Sequence, residues 1–348
     1  MFELVKALTE LPGMVGNEGP VQKWLEARWA PHCQTVWKTG VGNLMAHVGG
    51  QGPKLLIEGH ADEIGVMVSG VSDEGMVWVS HRQIGQLRPG RDMYLIGHPC
   101  VIQTRQGLVH GVYAAISGHI APAELRNKPE MTWSDVFVDI GAASAPEVAE
   151  QGVCVGDTVV WNPPTRQVGR YIVGKAMDDR AALAIMTALL ERIDPARLCY
   201  DLYLGSTVQE EMGLVGAHSL ERDGRFDLAV SLDVGLAGDV PGVDHRELTA
   251  RLGGGPILVH HDGRVHYDRE LSGQLKDLAA KVGIPLQDAV FPRYSSDGHA
   301  LIMLGVPTAL IAFATRYTHS PFEMCAQRDL EQCVDLLEAF VTRPSPGR

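Results

Sequence analysis

Gly174-Lys175-Ala176-Met177-Asp178-Asp179-Arg180-Ala181-Ala182 decides how the rest of the chain is read. The β-branched approach Tyr171-Ile172-Val173 runs into two adjacent aspartates. Strong helix formers follow, from Ala181 through Leu183, Ile185 and Met186 to Leu190. A strand that turns into a buried helix is a unit of an α/β sheet. Two carboxylates at such a turn are costly to bury unless cations neutralise them. Arg180 is expected to neutralise Asp179, which leaves Asp178 to a metal or a second base.

The same pattern extends outward on both sides. Upstream, apolar residues at helical spacing mark helices at 2–11 and from 21 to Pro31. Strands follow at 41–48 and 54–60, the second ending in Gly59-His60. Downstream, strands at 200–207, 228–234, 289–291 and 308–312 alternate with helices at 213–220, 270–282, 299–304 and 329–341. Between them the character changes. From Val66 to Gly169 the chain is short alternating runs broken by Gly, Pro and Asp. Examples are Met76–Val79, Tyr94-Leu95-Ile96, Cys100–Ile102, 134–141 and 157–161, with helical spacing only near 147–151. The expected architecture is α/β, residues 1–65 plus 170–348, interrupted by an all-β insert at 66–169.

Composition narrows the function. The chain has 348 residues and 45% apolar content, enough for two cored units. A net charge of −12 with no Lys/Arg cluster argues against a nucleic-acid partner. No stretch of about 18 apolar residues exists to span a membrane. The N-terminal residues lack a basic segment followed by an apolar run, so no secretory signal is expected. Six scattered cysteines without a Cys-x-x-Cys pattern suit a reduced, cytoplasmic protein.

The chemistry-bearing residues follow apolar strands. They are His60 and Asp62, Asp178, Glu210-Glu211, Asp233 and His319. In an open α/β sheet these positions gather at the carboxyl edge, where ligands bind. Each has an ordinary structural use: a histidine after a strand is commonly a core or surface residue, and Asp233 alone suits a helix cap. Seven of them in one strand-end pattern are harder to explain that way. Two imidazoles with several carboxylates suit a borderline divalent metal, zinc first, with cobalt or manganese as alternatives. Asp178, Glu211, Asp233 and a bridging hydroxide supply about −4, which two divalent ions balance. Asp178 is the expected bridge, and Asp62 is placed to orient His60. His110, His119, His218, His245, His260, His261 and His266 lack the strand-end context; His81 and His98 are expected at the surface of the insert.

The order G-H-A-D-E-I-G, β insert, G-K-A-M-D-D-R, Q-E-E, S-L-D-V, S-S-D-G, R-Y-T-H-S-P-F-E resembles the tetrahedral (TET-type) di-metal aminopeptidases, the glutamyl-aminopeptidase and FrvX-like family, from Leu4 to Leu336. The resemblance implies a phosphorylase/hydrolase-like three-layer α/β catalytic domain with a β-barrel dimerisation domain. Such proteins assemble into tetrahedral homododecamers. It also implies that His60, Asp178 and Asp233 hold one metal and that Asp178, Glu211 and His319 hold the other. Glu210 would be the general base. The expected reaction is removal of N-terminal residues from short peptides, with a metal-activated water as nucleophile. An N-acyl amino-acid deacylase or other amidohydrolase on the same scaffold is the alternative.

Overall fold

A computed structural model describes residues 1–80, 96–128, 132–220 and 226–343. The expected run at Tyr94-Leu95 and the expected surface position of His81 lie outside these residues. The strands are β1 (Thr35–Lys38), β2 (Leu44–Gly49), β3 (Lys54–His60), β4 (Val66–Val71), β5 (Val77–Ser80) and β6 (Pro99–Thr104). Next come β7 (Gly107–Ala115), β8 (Val136–Asp139), β9 (Thr158–Trp161), β10 (Arg166–Val168), β11 (Tyr171–Gly174) and β12 (Asp201–Thr207). The last are β13 (Leu228–Leu236), β14 (Ile257–Asp262), β15 (Gln287–Phe291), β16 (Thr308–Arg316) and β17 (Glu323–Ala326). The α-helices are α1 (Phe2–Thr9), α2 (Gly19–Trp29), α3 (Ala123–Arg126), α4 (Ala145–Glu150) and α5 (Met177–Arg192). They continue with α6 (Val215–Ser219), α7 (Arg269–Val282), α8 (Asp297–Met303) and α9 (Gln327–Val341).

β1–β3 and β10–β17 form one 11-stranded sheet, with the path β1-β2-β12-β3-β13-β16-β17-β11-β10 and with β14 and β15 branching from β16. Alternation along β3 sends Leu55 and Ile57 to one face and Leu56 to the other. The first face carries α1, α2, α5, α7 and α9, and the second carries α6 and α8. The result is a three-layer α/β fold. β13 and β16 are buried almost throughout, as strands covered on both faces must be. α5 lies at the centre, with Leu183, Ile185, Met186 and Leu189 fully buried. Each such side chain contributes roughly 1.5–3 kcal/mol of apolar burial.

β4-β5-β8-β7-β6-β9 close a separate six-stranded barrel. Val66, Val68, Val77, Ile102, Val138 and Val159 point into its core. β10 pairs with β11 in the large sheet, so the barrel strands end at Trp161.

Four neighbours in the large sheet, β12, β3, β13 and β16, run parallel. Their carboxyl ends therefore share one edge, and the chemistry collects there.

Candidate metal centre

His60 is the last residue of β3 and Asp233 lies inside β13. The register pairs Glu58 with Ser231, which sets His60 level with Asp233 two residues on. On the other side His60 pairs with Thr207, the end of β12. The chain then turns through Gln209, which has a positive φ of 56°. Gly59 allows the strand end to approach α5: a Cβ there would lie 2.8 Å from Asp179 Oδ2 and 3.0 Å from Ala182 Cβ.

The Gln209-Glu210-Glu211 turn is held by carboxylates from distant segments. Glu18 Oε1 accepts the Gln209 N–H at 3.2 Å. Asp62 Oδ1 accepts the Glu210 N–H at 3.0 Å, and Asp62 Oδ2 accepts the Glu211 N–H at 3.1 Å. Glu323 plays the same part across the cleft, taking the Asp178 N–H at 3.0 Å and the His319 N–H at 2.7 Å. His60 Nδ1 lies 3.2 Å from the Asp62 carbonyl and 3.5 Å from Asp62 Oδ1. Asp62 is thus placed beside His60, and it also clamps the turn that carries Glu210.

Asp178 spans the two imidazoles. Its Oδ1 is 3.0 Å from His60 Nε2 and its Oδ2 is 3.5 Å from His319 Nε2. Glu211 Oε1 is 3.0 Å from His319 Nε2, and Glu210 Oε2 is 3.9 Å from His60 Nε2. Donor atoms of His60, Asp178 and Glu211 lie within 4.8 Å of one another, and so do those of His60, Asp179 and Asp233. Of the seven residues singled out in the sequence, Asp178, Glu210, Glu211, Asp233 and His319 line one cleft; His60 joins them through Asp178, and Asp62 lies beside His60.

The expected Asp179–Arg180 pair is a correction. Arg180 turns away and donates to the carbonyls of Ala61, Leu8, Leu11 and Gly13, with Glu63 at 3.5 Å. Glu63 is in turn paired with the buried Lys175 at 2.6 Å. Asp179, fully buried, instead stands with His60 and Asp233, a carboxylate oxygen within 4.8 Å of their ligand atoms. One of its oxygens accepts the His60 N–H at 3.2 Å and the other has no partner among the described residues.

The electrostatics are those of a site built for cations. Burial pushes Asp233 well above the usual carboxylate range, and Asp178 adds to it. Burial and Asp233 do the same to Asp179; burial and Glu211 do it to Glu210. Burial would push His60 down, but Asp178 and Asp62 outweigh it and hold the ring well above its ordinary value. His319 is raised in the same way by Glu211 and Asp178. Against its own burial, Asp178 is held well below the usual range by His319 and His60. Carboxylates forced towards neutrality around two imidazoles, with Asp179 Oδ1 unpartnered, fit divalent cations.

The cleft measures about 590 Å³. Its walls include Asp178, Glu210, Asp233, Arg264, Arg293 and Tyr294. The pattern of the M42 glutamyl aminopeptidases matches residues 42–336. The chain belongs to the M42 glutamyl aminopeptidase family. FrvX of Escherichia coli strain K12 is 30% identical, covering 98% of this chain and 95% of its own. An aminopeptidase of the archaeon Desulfurococcus kamchatkensis has a solved structure that superposes with a TM-score of 0.91. It is 32% identical over 99% of this chain and 95% of its own. The TET1 peptidase of Pyrococcus horikoshii superposes with a TM-score of 0.86, at 27% identity over 97% and 98% of the two chains. The protein is a TET-type, metal-dependent aminopeptidase, a hydrolase of peptide bonds. These relatives do not favour the deacylase alternative.

Sequence reasoning passed over four residues of this aminopeptidase site. Asp179 was assigned to Arg180. Glu323 stands in the R-Y-T-H-S-P-F-E run but received no role. Glu18 and Tyr294 stand outside the motifs quoted above. The Tyr294 hydroxyl is buried, close enough to Asp233 to help hold that carboxyl down, yet among the described residues it has no partner at ordinary hydrogen-bond geometry.

Proposed function

We propose that the aminopeptidase works with two divalent cations, zinc first and cobalt or manganese as substitutes, and removes N-terminal residues from short peptides. His60, Asp178 and Asp233 would hold one cation, and Asp178, Glu211 and His319 the other. The observation that carries this is Asp178, which offers one carboxylate oxygen to each histidine. A two-cation site needs such a shared carboxylate.

When bound, the metals supply Lewis acidity that brings the pKa of a water in the cleft towards neutrality. Glu210 is the general base: it takes a proton from that water as the oxygen bonds to the first peptide carbonyl carbon. Burial already gives Glu210 a raised proton affinity. As the C–N bond breaks, Glu210 returns the proton to the leaving nitrogen. Asp62 keeps Glu210 aimed by holding its backbone N–H. The free α-amine of the substrate is drawn to the carboxylates, which confines cleavage to chain ends.

Residues 1–65 plus 162–348 would form the catalytic domain and 66–161 a dimerisation domain; the expected boundary at 169 moves to Trp161 because β10 pairs in the large sheet. The barrel supports this with exposed apolar side chains, Trp78 at 52% exposure, Leu108 at 51% and Val155 at 70%. We propose a homododecamer built from dimers; the TET1 relative assembles into a tetrahedron or a large octahedral shell. A cytoplasmic location is supported by six cysteines free of disulfides. No described helix is long and apolar enough to cross a membrane.

The test is a panel of aminoacyl-p-nitroanilides, run beside N-acyl amino acids, before and after chelation. Turnover of the nitroanilides should vanish with the metal and return with zinc or cobalt. Glu210→Gln should keep its metal and lose turnover by about three orders of magnitude or more. Full activity after confirmed metal loss, or near-normal turnover in Glu210→Gln, would overturn the reading.

A further inference from the structure

Resting on that reading, we propose that the Tyr294 hydroxyl is a further catalytic group, which donates a hydrogen bond to the carbonyl oxygen of the scissile peptide as charge develops there. Tyr294 lines the cleft together with Asp178, Glu210 and Asp233. Its hydroxyl is buried and, among the described residues, lacks a partner of ordinary geometry. Tyr267, close by, shows what a structural tyrosine does in this fold: its hydroxyl bonds Asp262 Oδ2 at 2.9 Å and Ser296 Oγ at 2.8 Å. A buried hydroxyl left unpaired is destabilising, so its place at a reaction cleft calls for a ligand atom.

The surrounding structure aims the ring. Tyr294 follows β15 and packs on Phe291 with ring centroids 5.5 Å apart. Its carbonyl accepts the Gly263 N–H at 2.8 Å. Glycine is needed at 263, because a Cβ there would lie 2.8 Å from the Pro292 carbonyl oxygen and 2.9 Å from that of Tyr294. The loop is thus locked against β14 by its backbone, and the hydroxyl stands beside Asp233 at the wall of the cleft.

The division of labour is consistent. Carboxylates that hold cations or take a proton serve as acceptors, whereas a phenol donates. The carbonyl oxygen gains negative charge during attack and needs a donor fixed in advance.

Tyr294→Phe tests this, since phenylalanine keeps the packing on Phe291. Three quantities are read: nitroanilide kinetics, metal per chain, and affinity by calorimetry for a tetrahedral aminoacyl phosphinate and for the free amino acid product. The expected result is a kcat lower by roughly 10²-fold, in the range seen for loss of one oxyanion donor. KM and metal content should hold, and phosphinate affinity should fall while product affinity does not. A kcat within about 2-fold of wild type overturns the proposal. So does a loss of metal, which would make the hydroxyl a support for Asp233, or an equal loss of phosphinate and product affinity. Wild-type protein with no chelator-sensitive turnover would sink the parent reading as well, a result distinguishable from all of these.

Discussion

Asp62→Asn removes one acceptor of the clamp and the negative charge beside His60. In the wild type, Asp62 Oδ1 and Oδ2 each receive a backbone N–H, from Glu210 at 3.0 Å and Glu211 at 3.1 Å. Asparagine keeps one oxygen and turns an NH₂ group towards the second N–H. A hydrogen bond to a charged group contributes about 1.5–3 kcal/mol, and both N–H groups lie at least partly out of water. Taking about 2 kcal/mol, and roughly 1.4 kcal/mol per factor of ten, the turn should lose about 30-fold in the population of its working geometry. That turn carries both the proposed base and a proposed ligand. The expected outcome is therefore a kcat about 30-fold lower at saturating zinc, and metal affinity weaker by roughly 10–100-fold, the range for groups that orient ligands. The assay is nitroanilide turnover across a zinc titration, with metal affinity measured by competition against a chelating dye. Circular dichroism checks the fold. If Asp62→Asn keeps its kcat within 2-fold and binds zinc as wild type does, the clamp is not what positions Glu210.

Two further outcomes concern buried charge. Burial, with Asp62 adding to it, raises Glu18 from 4.5 to about 7. A raised carboxyl contributes stability that is full below the unfolded value and is lost as pH rises through the folded one. The difference of about 2.5 pH units corresponds to roughly 3 kcal/mol at most, so the stability of Glu18→Gln relative to wild type should improve by up to that amount between pH 4.5 and pH 8. Denaturant melts at both ends check it, and an unchanged gap would refute it. Lys175→Met strands Glu63, whose carboxylate takes Lys175 Nζ at 2.6 and 2.7 Å. Breaking such a buried pair costs about 3–5 kcal/mol, visible as a clearly lower melting temperature; a melt superimposable on wild type would show that Arg180 alone satisfies Glu63.

The α/β core was legible because its strands are apolar over their full length and its helices carry regular spacing. Tyr171–Gly174 followed by Ala181–Leu190 needs no tertiary information to read. His60 and Glu210-Glu211 were legible because polar groups stand directly after such strands. Asp233 was found for a reason that only partly holds: β13 continues to Leu236, pairing Leu236 with Thr315, so Asp233 is inside a strand and not at its end. β1, β14 and β17 were not anticipated. β1 is half-exposed, and β14 and β17 take their pairing from β16, which local composition does not reveal. The clamp by Asp62 and Glu18 was hidden for a physical reason. Its partners are backbone N–H groups 148 or more residues away, and a main-chain donor leaves no mark in the sequence. The Asp179–Arg180 pairing failed because adjacency along the chain says nothing of which side each residue faces.

The most direct test of the paired cations is anomalous diffraction at the zinc edge from crystals of the zinc-loaded protein. Two peaks flanking the Asp178 carboxylate, one beside His60 and the other beside His319, are the predicted result. A single peak, or density remote from Asp178, would contradict the account.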